Sequence, residues 1–215
     1  MALVKDQIID LYRKRAANYD ISANLYYLIG FRETRYRKLA IRELDLRPGN
    51  TVVEIGCGTG LNFNYLEQAV GPEGRIIGVD LTDKMLAVAR ERIARNGWPN
   101  VELIKADAAA YTFPDRLNGI LSTFAITLIP EYENIIGRGA DALDYNGRMV
   151  IVDLRKPDRW PMWVVKFMVW LTRPFGTSLD IAERKPWQAV EDRLADAKLT
   201  KLFGGFVFIS SGTKR

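Results

Sequence analysis

The stretch Val52-Val53-Glu54-Ile55-Gly56-Cys57-Gly58-Thr59-Gly60 constrains this chain more than any other part of it. Residues 51–55 form a short, mostly β-branched run that reads as a buried strand, and the three glycines that follow stand at alternate positions. Residues without a Cβ let the backbone turn tightly and approach a ligand closely. A strand that feeds such a loop and then a helix is the opening of a nucleotide-binding α/β unit. The spacing is G-x-G-x-G, not the G-x-G-x-x-G of nicotinamide dehydrogenases, which disfavours that class. An acidic residue, Glu54, stands just ahead of the loop.

Downstream, strand and helix signals alternate: a helix over 61–70, a strand over 75–80, a helix over 83–96, strands over 101–106 and 119–123, a helix over 131–143 and a strand over 147–153. Strands separated by helices imply right-handed βαβ units and a mostly parallel sheet covered on both faces. The final segment differs. Two apolar runs, 199–203 and 206–210, flank Gly204-Gly205, so a hairpin is expected and one strand should run antiparallel. Ahead of the first strand, Ile8, Ile9 and Tyr12, then Leu25, Leu28 and Ile29, then Leu39, Ile41 and Leu44 fall at helical spacings, with a break at Asn18-Tyr19-Asp20. They predict two or three N-terminal helices. No repeat or long linker interrupts the 215 residues, so a single domain is expected, with N-terminal helices (1–47), a central core (48–155), an inserted helical segment (156–198) and a hairpin (199–215).

Composition narrows the chemistry. The chain has no histidine, the commonest neutral-pH base and zinc ligand, and one cysteine, Cys57, which supplies neither a metal-ligand set nor an intramolecular disulfide. Metal catalysis is therefore disfavoured. The opening Met-Ala-Leu-Val-Lys-Asp lacks the apolar core of a signal peptide, which makes the cytoplasm the expected compartment. The net charge of +5 is concentrated at 13–15, 32–47, 155–173 and 184–185, a distribution suited to a basic face.

The segment Glu54-Ile-Gly-Cys-Gly-Thr-Gly60 resembles the first motif of the class I S-adenosylmethionine-dependent methyltransferases, and the resemblance continues through 50–155. It implies a Rossmann-like α/β fold with a seven-stranded, mostly parallel sheet and a C-terminal antiparallel hairpin. It also implies S-adenosylmethionine as cofactor. Asp80, ending Ile77-Gly-Val-Asp80, matches the family acid that accepts both ribose hydroxyls, a role that suits a carboxylate with two acceptor oxygens. Asp107, with Ala108, matches the segment at the adenine amino group. Met85 matches an apolar residue packed near adenine and ribose, although plain helix core explains it equally. Residues 143–153 resemble the loop and strand that close the core, with Asn146-Gly147 where many relatives have two glycines. Tyr12 and Tyr19, within Tyr12-Arg-Lys-Arg-Ala-Ala-Asn-Tyr-Asp20, are similar to the aromatic lid of quinone and phospholipid methyltransferases, or else are core residues of a helix. The cofactor set implied is Tyr12, Tyr19, Glu54, Gly56, Cys57, Gly58, Gly60, Asp80, Leu81, Met85, Asp107, Ala108 and Thr123.

A neutral amine acceptor needs little beyond alignment, whereas a phenol or acidic carbon needs a base. Without histidine, the catalytic candidates are Asp153 and Tyr19. Residues 122–130, Ser-Thr-Phe-Ala-Ile-Thr-Leu-Ile-Pro, depart from the Asp/Asn-Pro-Pro-Tyr pattern of enzymes acting on adenine or glutamine amino groups, which disfavours nucleic acid and favours a hydrophobic acceptor. The stretch 160–175, with Trp160, Trp163 and Trp170 among cations, is too short to span a bilayer. It reads as a wall of an acceptor pocket, a contact with an anionic membrane surface, or both. These features place a phosphatidylethanolamine-type amine first as acceptor and a quinone-like small molecule second, with a non-catalytic cofactor-binding protein as the alternative from another class.

Overall fold

The computed structural model describes residues 5–16, 19 and 30–215. The helical reading at Leu25, Leu28 and Ile29, and Ala17, Asn18 and Asp20 of the break, lie outside the described residues. Among the described residues two helices precede the sheet, α1 (Lys5–Arg15) and α2 (Glu33–Glu43). There follow β1 (Thr51–Ile55), α3 (Phe63–Val70), β2 (Arg75–Asp80), α4 (Asp83–Asn96), β3 (Val101–Lys105), β4 (Leu117–Thr123), α5 (Tyr132–Ala142) and β5 (Leu143–Leu154). The chain continues through α6 (Met162–Thr172), the short α7 (Leu179–Ala182), α8 (Pro186–Arg193), β6 (Ala195–Leu202) and β7 (Val207–Thr213).

The strands form one seven-stranded sheet in the order β3-β2-β1-β4-β5-β7-β6. Only the pairings of β7 with β5 and with β6 are antiparallel. β1 is paired on both sides, by β2 and β4, and its last four residues are buried, which explains a run without polar alternation. Side chains still point alternately to the two faces. Val53 and Ile55 join Ile77, Ile120 and Ile151 in a core that includes Ile135, Ile136 and Ala140 of α5 and Val190 of α8. Val52 joins Ile76, Leu121 and Val150 against Tyr36, Ala40 and Ile41 of α2 and Phe63 and Leu66 of α3. The sheet thus has a core on each face, as a chain of βαβ units requires.

The largest differences from the sequence reading are the starts of two strands. β5 opens at Leu143, not 147, because Leu117 pairs with Leu143 while Gly119 pairs with Arg148, leaving a bulge whose Asn146 has φ 64°. β6 opens at Ala195, not 199. Its first residues are largely exposed and the ladder shifts register between Ala195 and Lys198, so no apolar alternation marks the start. The turn between β6 and β7 holds Phe203, Gly204 and Gly205 at φ 47°, 62° and 91°, which accounts for the glycine pair.

Candidate active site

After β1 the chain moves outward through β2 and β3, then crosses to β4 on the other side of β1. The carboxyl ends of β1 and β4 therefore flank a topological switch point, where open α/β sheets leave a crevice. The glycine loop occupies its mouth. Gly56 N and Cys57 N both donate to Val79 O, at 2.8 and 3.1 Å, fastening the loop to the end of β2. Gly56 has φ 68°, and a Cβ there would stand 2.3 Å from that of Ala125, so the residue after β1 must be glycine for β1 and β4 to approach this closely.

Above the loop lies a cavity of about 490 Å³, in the range of small-molecule sites. Tyr12, Tyr19, Gly56, Cys57, Gly58, Asp80, Leu81, Met85, Asp107, Ala108 and Thr123 line it. Glu54 and Gly60 do not. Glu54 is buried beneath the loop, and Gly60 backs onto Phe63, whose ring a Cβ would meet at 2.5 Å. Asp80 Oδ2 accepts from Gly58 N at 2.9 Å and Oδ1 from Thr82 N at 2.8 Å. Asp80 lines the cavity, where a carboxylate with two acceptor oxygens suits a vicinal diol. Burial raises the Asp80 pKa, opposed by these backbone donors. Asp107 Oδ1 accepts from Ala109 N at 3.0 Å. Arg138 of α5 holds the following turn by donating to the carbonyls of Tyr111, Ala108 and Ala109 at 2.6, 3.0 and 2.7 Å.

Sequence reasoning missed the polar network under the cavity. Asn62 Nδ2 donates to Glu54 Oε1 at 2.5 Å and to Thr123 Oγ1 at 2.9 Å, and Arg37 Nη1 donates to the same hydroxyl at 2.6 Å. Arg37 also pairs with Glu33 one turn earlier on α2. Desolvation pushes the Glu54 carboxyl up to about 7, against the Asn62 hydrogen bond and the Arg37 charge, which both pull it down. An arginine on an N-terminal helix reads as a solvated cation, so only the fold reveals this role. Arg184 was missed too; it lines the cavity and donates to Thr127 O.

A smaller chamber of about 50 Å³ adjoins the first, and Tyr12, Tyr19, Phe124 and Leu128 line both. Phe124 has φ 55°, an unusual backbone for an aromatic, fixed by its N–H donating to Val152 O at 2.7 Å. Asp153, at the end of β5, lines the smaller chamber only, together with Phe31, Phe175 and Ile181. It is 3% exposed. Its oxygens accept from Thr127 N at 3.0 Å and Leu154 N at 2.8 Å, and desolvation outweighs these donors to push its carboxyl up to about 6. Tyr12 donates to Phe175 O at 3.1 Å, and the Tyr19 ring packs edge-on to Phe175 at 5.7 Å. Burial raises the Tyr12 pKa well above its ordinary value, with further contributions from Tyr19, Asp80 and Asp153, so the phenol stays a neutral donor.

Comparison with known proteins agrees with this geometry. Residues 52–147 match the family model described as a methyltransferase domain. A demethylmenaquinone methyltransferase of Bacillus cytotoxicus is 26% identical over 155 residues, 71% of this chain and 64% of that protein. The chain thus spans less than two thirds of that relative's length. Among solved structures, a SAM dependent methyltransferase from Aquifex aeolicus superposes with a TM-score of 0.60 at 19% identity, covering 86% of this chain and all of that one. A geranyl diphosphate C-methyltransferase from Streptomyces coelicolor, solved with S-adenosyl-L-homocysteine, gives 0.69 at 14% identity, covering 85% and 79%. Residues 52–147 therefore carry a methyltransferase domain, built on this strand order and on a glycine loop under a nucleotide-sized cavity.

Proposed function

We propose that the chain methylates a small, hydrophobic, quinone-like acceptor and that Asp153 is the base that prepares it. One observation carries this reading: a buried carboxylate with its pKa raised to about 6 stands in an apolar chamber that shares a wall with the cofactor cavity. The residues present suit the cofactor. Gly58, where a Cβ would meet nothing within 4 Å, leaves the cradle floor open, Asp80 offers paired acceptors, and Met85 and Ala108 give an apolar wall. S-adenosylmethionine, when bound, supplies a methyl group on a sulfonium sulfur. The protein's own work is alignment, exclusion of water and proton removal. Tyr12, Tyr19 and Phe124 form the partition between the chambers, and aromatic faces turned toward a sulfonium favour the cation. The Asp153 carboxylate, largely ionised at neutral pH, takes the proton from an acceptor hydroxyl or ring C–H as that atom becomes the nucleophile.

The described lining of the smaller chamber contains no lysine or arginine but two carboxylates, Glu33 and Asp153. Glu33 is paired with Arg37, and a lipid phosphate would find no cation in that lining, so the quinone-like acceptor moves ahead of the phosphatidylethanolamine-type amine. The name of the Bacillus relative points the same way. At about 50 Å³ the chamber holds little more than a water molecule or two, so Tyr12, Tyr19 and Phe175 must withdraw to admit a ring. The test is incubation with labelled S-adenosylmethionine and, separately, a reduced demethylated naphthoquinone and phosphatidylethanolamine, with products identified by mass. Label in the quinone alone is expected. Label confined to the phospholipid would overturn the reading. Asp153→Asn should lower kcat by about 10²–10⁴-fold with little change in KM and abolish the acid limb of the pH profile near pH 6.

A further inference from the structure

We propose that the outer face of α6 is a docking surface for an anionic lipid bilayer. The helix buries Val165, Met168, Val169 and Thr172 against the protein. On the opposite side Trp163, Phe167 and Trp170, spaced i, i+4 and i+7, are 73%, 53% and 63% exposed, with Met162 at 47%. Phe167 and Trp170 stack at 5.9 Å. A row of aromatic rings held in water is an exposed apolar patch of the kind that marks an interaction site.

Its charge selects the partner. Lys166 is exposed within the helix, and Arg159 and Arg173 are exposed just before and after it. The nearby carboxylate, Asp158, is engaged by Arg155 at 2.7 Å and Lys201 at 2.7 Å, so it does not offset them. Tryptophan rings among lysine and arginine suit the headgroup boundary of an anionic membrane, where the rings enter the apolar edge and the cations meet phosphate. A second copy of the chain fits less well, because an isologous contact across this face would bring the exposed cations Arg159, Lys166 and Arg173 of the two copies together. Eleven residues rise about 16 Å, about half of a bilayer core, so the helix lies along the surface and does not cross it.

The same helix forms the acceptor side of the site. Thr172 at its end, and Phe175 just beyond, line the chamber that holds Asp153. Docking would therefore set the membrane's apolar edge against the wall through which a hydrophobic acceptor enters. That consequence rests on the proposed function, whereas docking itself does not.

The experiment is co-sedimentation of the full chain with vesicles of phosphatidylcholine alone and of equal parts phosphatidylcholine and phosphatidylglycerol, at about 0.15 M and about 1 M salt. No acceptor is added, so a failure of the quinone reading leaves the outcome intact. Binding is expected to the anionic vesicles at the lower salt, with a blue shift of tryptophan fluorescence. Lys166→Glu or Arg173→Glu should each weaken partitioning by about fivefold or more. Trp163→Ser with Trp170→Ser should abolish the blue shift while S-adenosylhomocysteine affinity, the check on folding, is unchanged. Absence of binding to either vesicle overturns the proposal. So does equal binding of the double serine variant, or a dimer in light scattering that the same substitutions dissolve.

Discussion

Asp80 is held by two backbone donors, from the glycine loop and from the start of α4, so one side chain joins the two segments that frame the cavity. Asp80→Ala should weaken S-adenosylhomocysteine binding by about 1–3 kcal/mol, a rise in Kd of about fivefold to 150-fold by calorimetry, because a charge-assisted acceptor is lost. An unchanged Kd would remove Asp80 from the ligand. Asp80 was legible as a candidate because it ends the apolar run Ile76-Ile77-Gly78-Val79, where little besides function favours a carboxylate, whereas Asp107, after Lys105-Ala106, was picked out by the family resemblance. Arg37, Asn62 and Phe124 were not legible. Their roles depend on α2, α3 and β4 converging on Thr123, and spacing along the chain carries no trace of that meeting. Glu54 belongs between the two groups. Its position before the loop was plain, but it supports the cavity from below and does not line it.

At the scale of elements, the loop after β3 has no regular structure of its own and is fixed by Arg138, which reaches across from α5 to three carbonyls. Arg138→Met keeps the apolar stem and removes the donors. It should weaken S-adenosylhomocysteine binding by about 1–3 kcal/mol and speed hydrogen exchange at 107–111, while Asp80 keeps its role. Slow exchange there in the variant would show that the loop is held otherwise. α1 is tied to the rest by an exposed pair, Arg13 with Asp83 at 2.8 Å, and by the Tyr12 bond to Phe175. The exposed pair contributes little. The aromatic contacts with Phe175 hold the helix over the chambers, so deleting residues 1–16 should abolish methyl transfer yet leave a cooperative unfolding transition for the remainder. Full activity in the shortened chain would show that α1 closes nothing. The alternating strands and helices of 51–154 were legible because apolar period and glycine turns agree there. The start of β6 was not, since an exposed, bulged edge strand leaves no pattern to read.

For the whole molecule, two buried carboxyls make stability depend on pH. Glu54 rises from an ordinary 4.5 to about 7, and Asp153 from 3.8 to about 6. For a raised acid the fold favours the protonated form, so the associated stability is full below the unfolded pKa and is lost as pH climbs through the folded one. The wild type should therefore lose stability from about pH 3.8, where Asp153 begins to contribute, to about pH 7, where the Glu54 contribution is spent. Glu54→Gln, which removes that charge, should flatten the slope and exceed the wild type by about 2–3 kcal/mol in urea unfolding at about pH 8. A slope as steep as the wild type's would exclude Glu54 as its source.

The position of β7 bears on how such a sheet is made. All seven of its residues are buried, and it is the wedge that pairs β5 on one side and β6 on the other. During synthesis the outer edge of β5 must wait, with its amides unpaired, through more than fifty residues until 207–213 leave the ribosome. Until then the nascent chain presents a sticky strand edge to its neighbours, and the exposed lysines of β6, Lys198 and Lys201, face outward on the strand that finally closes it. The sheet is therefore completed out of spatial order, by a strand that follows β5 and β6 in the chain and is inserted between them.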